Sequence, residues 1–225
     1  NGILIKSAEA LETLHTIKTI VLDKTGTVTQ GKPRVTGLYP CEGVTQGELL
    51  CVAASLEKPS EHPLAQAIVA EAEERGIPLA PAGDFQALHG RGVQARIQGA
   101  GFLAGNRALM EEHGVDLEAG HLLADRLAGQ GQTPLYFAQD GKLMGVVAVA
   151  DTVKPTSAAA IAAFRDLGID VVLLTGDNKR TAEAIGRELG ISNVIAEVLP
   201  QDKERVVAGL QKEGRRVAMV GDGIN

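Results

Sequence analysis

The first residues with chemistry in them stand where an apolar run stops. Ile17 to Leu22 reads as a buried strand, Asp23 closes it, and Lys24, Thr25, Gly26 and Thr27 replace the aliphatic residues a strand would continue with. In an open α/β sheet, ligands sit at the carboxyl ends of the strands, so a carboxylate there is better placed for reaction than for packing. It can attack phosphorus and become an aspartyl-phosphate, provided that Lys24, another cation or a bound metal offsets the negative charge that meets it. The plainer alternative is an Asp opening a turn. Two more polar breaks follow apolar runs in the same way. Thr175-Gly176-Asp177 comes after Val171 to Leu174, and Gly221 to Asn225 comes after Val217 to Val220. Three strand tips are therefore expected to converge on one site.

The elements that must hold these tips divide the chain. Ser7 to Leu14 reads as a short helix with Ser7 as N-cap and Ala8, Leu11 and Leu14 on the side that should pack on the sheet. Gln30-Gly31-Lys32-Pro33 is a polar connector and marks a boundary. Between Pro33 and Lys142, Gln46 to Leu56 and Leu64 to Arg75 have helical periodicity, with Glu71, Glu73 and Glu74 on a solvated face. Short alternating runs follow at Gly92 to Ile97, Gly101 to Ala104 and Pro134 to Ala138. Asp140-Gly141 reads as a hairpin turn leading back to the first domain. From Leu143 a βαβ series is predicted: strand Val146 to Val149, helix Thr156 to Leu167, strand Val171 to Leu174, helix Lys179 to Leu189, strand Val194-Ile195, helix Gln201 to Lys212, strand Val217 to Val220. The expected fold class is α/β, a parallel-sheet domain of residues 1–32 and 143–225 with an inserted α+β domain of residues 33–142. A hinge is expected near Gly31 and Gly141.

Composition removes several classes of function. With 225 residues and 44% hydrophobic content there is enough for a packed core. Net charge is −6 and the basic residues are scattered, so no stripe favours nucleic acid. Cys41 and Cys51 have no CxxC spacing and no histidine cluster, which reads as free thiols in a reducing compartment. His15, His89, His113 and His121 lack metal-ligand spacing. No run approaches the roughly 20 apolar residues that span a bilayer, so the piece is expected to be soluble.

Asp23-Lys24-Thr25-Gly26-Thr27, Thr175-Gly176-Asp177 and Gly221-Asp222-Gly223-Ile224-Asn225 resemble the three phosphorylation-domain signatures of P-type cation-transporting ATPases. Ser60-Glu61-His62-Pro63, with Glu57 upstream, resembles the nucleotide-site element of the heavy-metal branch. Ala8 to Glu12, Asn106 and Glu197 to Lys203 look most like copper(I) exporters, and zinc, cadmium and lead exporters share much of this. The resemblance implies a haloacid-dehalogenase-like phosphorylation domain with an inserted nucleotide-binding domain. It makes the chain the ATP-handling piece of a pump whose actuator and transmembrane domains lie elsewhere, on the cytoplasmic face of a bacterial inner or plasma membrane.

The implied roles run residue by residue. Asp23 is the nucleophile, and Lys203 neutralises the transferred group. Thr175 and Gly176 offer a hydroxyl and a backbone N–H to the phosphate, and Asp177 approaches the nucleotide phosphates. Lys24, Thr25, Gly26, Thr27 and Asn225 frame the phosphate. Mg²⁺, which prefers oxygen ligands, is expected on Asp23, Asp222 and the main-chain carbonyl of Thr25. ATP is expected at Glu57, Glu61, His62, Gly90, Gly92, Gly105 and Asn106, with Glu57 accepting from the adenine amino group and the glycines admitting the ribose and phosphates. Taken one at a time, the nucleotide elements also read as a turn at Gly90-Arg91-Gly92 and a helix cap at His62-Pro63. Related phosphatases place an acid-base Asp two residues after the nucleophile. Thr25 occupies that position here, which favours a lasting aspartyl-phosphate over a soluble phosphatase. A binding-only regulatory module is the other rival.

Overall fold

The computed structural model describes residues 4–222, and the chain forms two compact units, Asn1–Gly31 with Val153–Asn225, and Lys32–Thr152. Helix α1 (Ala8–Leu14) and strand β1 (Thr19–Asp23) open the first unit. The second unit runs β2 (Arg34–Pro40), α2 (Gln46–Glu57), α3 (Pro63–Glu74), β3 (Ala82–Leu88), β4 (Gly92–Ile97), β5 (Ala100–Gly105), α4 (Arg107–Glu112), α5 (His121–Gly129), β6 (Thr133–Gln139) and β7 (Lys142–Ala150). The chain then completes the first unit with α6 (Ser157–Asp166), β8 (Asp170–Leu174), α7 (Lys179–Leu189), β9 (Asn193–Ile195), α8 (Lys203–Lys212) and β10 (Val217–Val220).

In the first unit four parallel strands lie in the order β10-β1-β8-β9. Successive side chains leave a strand on opposite faces, and each face has its own core. Ile20, Leu22, Val171 and Leu173 pack with Ile161 of α6 and with Ile185 and Leu189 of α7. Val21, Val172 and Leu174 face the other way, toward Val206 and Leu210 of α8. Burial on both faces is why β1 and β8 read as unbroken apolar runs. Register then sets the tips level: Asp23 pairs with Leu174, and Leu22 pairs with Val220. One expectation fails here. Leu11 and Leu14 of α1 are 50% and 61% exposed, and what reaches the core is Ile17, in the turn after the helix.

The second unit is a six-stranded antiparallel sheet, order β2-β7-β6-β5-β4-β3, with helices on both faces. Strand β7 corrects the βαβ series predicted from Leu143. It pairs antiparallel with β2 and β6, and the division between units falls after Thr152, not after Lys142. Val147 and Val149 join Leu49, Leu50 and Ile68 of α2 and α3, while Val146 and Ala148 join Leu109, Met110 and Leu127 of α4 and α5. A strand covered on both sides carries the apolar signature of a parallel one, whatever its direction. Asp140 and Gly141 do form the two-residue turn, both at positive φ (46° and 81°) as a primed hairpin requires. That turn joins β6 to β7 inside one sheet, so Gly141 is no hinge between units. No helix among the described residues is long and apolar enough to cross a membrane.

Candidate active site

Strand β1 carries Asp23 to its tip, where the side chain is only 2% exposed. A carboxylate taken that far from water needs a cation. Lys203 supplies it, with Nζ 2.9 Å from Asp23 Oδ2. The lysine reaches this position because Pro200 starts a single tight turn, Pro200–Asp202, that runs directly into α8 with Lys203 at its head. A second pair stands beside it: Lys24 Nζ lies 2.6 Å from Asp177 Oδ2. Asp177 is placed by its own N–H donating to Thr175 Oγ1 (3.1 Å), and Thr175, at the tip of β8, is buried. Asn178 then caps α7 by accepting from Thr181 N–H. Gly176 lets the Val198 carbonyl come within 3.2 Å of where a Cβ would stand. Buried ion pairs are poor stabilisers once desolvation is counted, so two of them at adjacent strand tips point to chemistry rather than to holding the fold.

The segment Lys24–Val28 after β1 is an irregular turn, closed by the N–H and Oγ1 of Thr29 both donating to the Lys24 carbonyl at 3.0 Å. Gly26 sits at φ 73°, and Asp222 Oδ2 lies 3.3 Å from the Cβ that another residue would carry there. The position is therefore closed to a side chain twice over, by conformation and by contact. Thr27 Oγ1 is buried without a hydrogen-bond partner among the described residues. An orphaned hydroxyl in a turn that follows a buried carboxylate suits an oxygen-rich ligand such as phosphate. Asp23 and Asp222 flank the same turn, a donor set of two carboxylates and main-chain carbonyls. Among the described residues there is no cluster of three or more His, Cys, Asp or Glu side chains that could enclose a metal. Such an incomplete oxygen set fits Mg²⁺, which keeps waters and shares substrate oxygens. Asn225 and Gly223 lie outside the described residues.

Sequence reasoning missed Lys154 and Ser157. Lys154 Nζ donates to the Gly26 carbonyl (2.6 Å), and Ser157 Oγ donates to the Val28 carbonyl (2.7 Å). The signal available was the polar break Asp151 to Thr156 between two apolar segments, which reads as a bare connection.

In the second unit, Glu57 ends α2 almost fully buried. Burial pushes its carboxyl up to about 7, opposed by a hydrogen bond from the Ser60 hydroxyl. Ser60 ties the loop together, its N–H donating to the Glu57 carbonyl (2.9 Å) and its Oγ accepting from His62 N–H (3.3 Å). His62 caps α3, with Nδ1 accepting from Leu64 N–H at 3.2 Å and Pro63 following at the first helical position. That bond puts the ring proton of neutral His62 on Nε2. Glu57, Ser60 and Glu61 line one cavity of 310 Å³ with Gln66 and Glu73 of α3. Gly90, Gly92, Gly105 and Asn106 come together where β4 begins and β5 ends. Gly92 and Gly105 are directly paired, and a Cβ on Gly92 would stand 2.0 Å from the Ala104 carbonyl oxygen. Asn106 caps α4 through Oδ1 to Leu109 N–H and donates through Nδ2 to the Gly90 carbonyl. These residues have structural duties whatever they bind.

A haloacid dehalogenase-like hydrolase model matches residues 17–225. The chain belongs to that family of hydrolases. Over its whole length it is 50% identical to a copper-exporting P-type ATPase of Bacillus subtilis and 47% identical to copper-transporting ATPase 1 of Rhizobium meliloti. It spans 28% and 27% of those two proteins. A silver-exporting P-type ATPase of Salmonella typhimurium is 44% identical over the same stretch. Among solved structures, the catalytic domain of the CPx-ATPase CopB-B, from work on its conformational changes on nucleotide binding, superposes with a TM-score of 0.74 at 26% identity. That alignment covers 98% of this chain and 77% of the other. A zinc-transporting PIB-type ATPase in its E2.Pi state superposes at 0.66 with 39% identity, covering 98% of this chain and 36% of that one.

Proposed function

We propose that this hydrolase-family chain is the ATP-binding and phosphorylation part of a P-type heavy-metal ATPase that exports copper(I), working at the cytoplasmic face of a membrane. The unit with Asp23 takes up phosphate, and the unit with His62 holds the nucleotide. The observation that supports this best is Asp23 buried against Lys203 at a strand tip with Thr25, not a second acid, two residues on. An Asp23 carboxylate oxygen forms a bond to the γ-phosphorus as the bond from that phosphorus to the bridging oxygen breaks, and ADP leaves with the electron pair. Lys203, already on Asp23, offsets the charge of the phosphoryl oxygens, and the hydroxyls of Thr27 and Thr175 would donate to them. Mg²⁺ would be held by Asp23, Asp222 and the Thr25 carbonyl, and would supply positive charge to the same oxygens. No side chain at position 25 can activate water, so the acyl phosphate persists. The choice of copper over zinc, cadmium or lead rests on the likeness to copper-exporting relatives, since the ligands for a transported ion would lie outside this chain.

The test is acid-quenched labelling with γ-labelled ATP and Mg²⁺. Hydroxylamine-sensitive label is expected on the parent, none on Asp23→Asn with ATP binding intact, and weaker ATP binding for His62→Ala. A folded, nucleotide-binding protein that takes no label would refute the proposal.

A further inference from the structure

We infer that Lys154 is a positioning residue for the phosphoryl-accepting turn: its ammonium fixes the orientation of the peptide between Gly26 and Thr27, next to Asp23. The inference deepens the phosphoryl-transfer reading above and rests on it for its function, though not for its geometry.

The turn Lys24–Val28 is held by a segment more than a hundred residues downstream. Thr29 bridges Val153, Lys154 N–H donates to the Val28 carbonyl (3.0 Å), and Ser157 Oγ donates to the same carbonyl. Together with the two bonds from Thr29 to the Lys24 carbonyl, these fix both ends of the turn without the Lys154 side chain. What remains is its middle. Gly26, at φ 73° and without a Cβ, is the residue about which a peptide flip costs least. Lys154 Nζ reaches the Gly26 carbonyl at 2.6 Å and makes no ion pair among the described residues. Lys24 and Lys203 are each spent on a carboxylate, whereas Lys154, among the described residues, acts on main chain alone.

Two consequences follow from peptide geometry. A planar trans peptide points its C=O and N–H in opposite directions, so holding the Gly26 oxygen toward Lys154 turns the Thr27 N–H away from it. A cation on the carbonyl also polarises the peptide and makes that N–H a stronger donor. Lys154 thus sets the direction of one main-chain donor in the turn that also carries the Thr27 hydroxyl, which has no partner among the described residues.

The experiment compares the full chain with Lys154→Met and Lys154→Arg. With Lys154→Met, hydroxylamine-sensitive labelling at saturating ATP should slow by about tenfold or more, the scale of losing a hydrogen bond to a charged group. ATP affinity should stay at the parent value and the protein should remain folded, and Lys154→Arg should restore most of the rate. In amide NMR spectra the Thr27 resonance should broaden or move in Lys154→Met and return in Lys154→Arg. Labelling at the parent rate in Lys154→Met, or equal slowing in both variants, would overturn the inference. A parent that takes no label would sink the phosphoryl-transfer reading instead, and the Thr27 amide then decides alone: unchanged in Lys154→Met, it overturns the role assigned to Lys154.

Discussion

Glu57 shows what one side chain gains and loses by position. Its place beside the Ser60 to Pro63 loop is legible in the sequence, because Glu57 closes a run of helical periodicity just ahead of it, and the two line one cavity. Its protonation is not legible there, because that depends on how deeply α2 and α3 bury it. The folded carboxyl titrates near 7 against an ordinary value of 4.5, raised by burial and held back by Ser60, while Lys58, Glu61 and Glu73 line the same cavity. A raised folded pKa means that the folded state binds more protons than the unfolded one between these two values. The stabilisation is complete below about 4.5 and is lost as pH rises toward 7, by up to about 3 kcal/mol. Both tyrosines of the chain, Tyr39 and Tyr136, lie in the second unit, so urea unfolding followed by tyrosine fluorescence reports on it. The denaturation midpoint should fall between pH 5 and pH 8, and Glu57→Gln should flatten that fall. An equal slope in parent and variant would remove Glu57 as its source.

At the scale of elements, the strands that carry the site were the easiest to read. β1, β8 and β10 each end an aliphatic run on Gly, Thr or Asp, and in β1 and β8 that run is the mark of a parallel strand buried on both faces. The same rule misled at β7, whose Val146, Val147, Ala148 and Val149 are covered from both sides in an antiparallel sheet. Sequence periodicity reports coverage and not direction. It also overrated α1, where seven residues present a leucine stripe that finds no core. Gly92 and Gly105 belong here too, because their lack of a side chain is demanded by strand contact. Gly92→Ala should destabilise the second unit by about 3 kcal/mol or more, since its Cβ would collide with main chain of β5 and not with a movable side chain. Equilibrium urea unfolding measures this, and loss of ATP binding without loss of stability would show instead that Gly92 serves the ligand alone.

As a whole, the chain is two compact units, each with its own hydrophobic cores, joined by two short passages, at Gly31 to Lys32 and at Thr152 to Val153. That an insert existed was legible from the polar connector at Gln30 to Pro33. Where it ended was not, for the reason given by β7. The second unit enters on β2 and leaves on β7, and these strands pair with each other, Arg34 opposite Ala150, while Lys32 N–H donates to Asp151 Oδ1. A fragment of residues 32–152 should therefore fold by itself and bind ATP as the full chain does, because cutting leaves both ends hydrogen-bonded side by side. Calorimetric titration of that fragment tests it, and an unfolded or ATP-blind product would count against a self-sufficient unit. Separate cores also mean that this molecule can be broken in two distinguishable ways. On the proposed function, a lesion around Met110 would leave an intact acceptor deprived of its donor, rescued by a small reactive phosphate compound; one around Leu173 would leave a competent reader of nucleotide with nowhere to send what it reads.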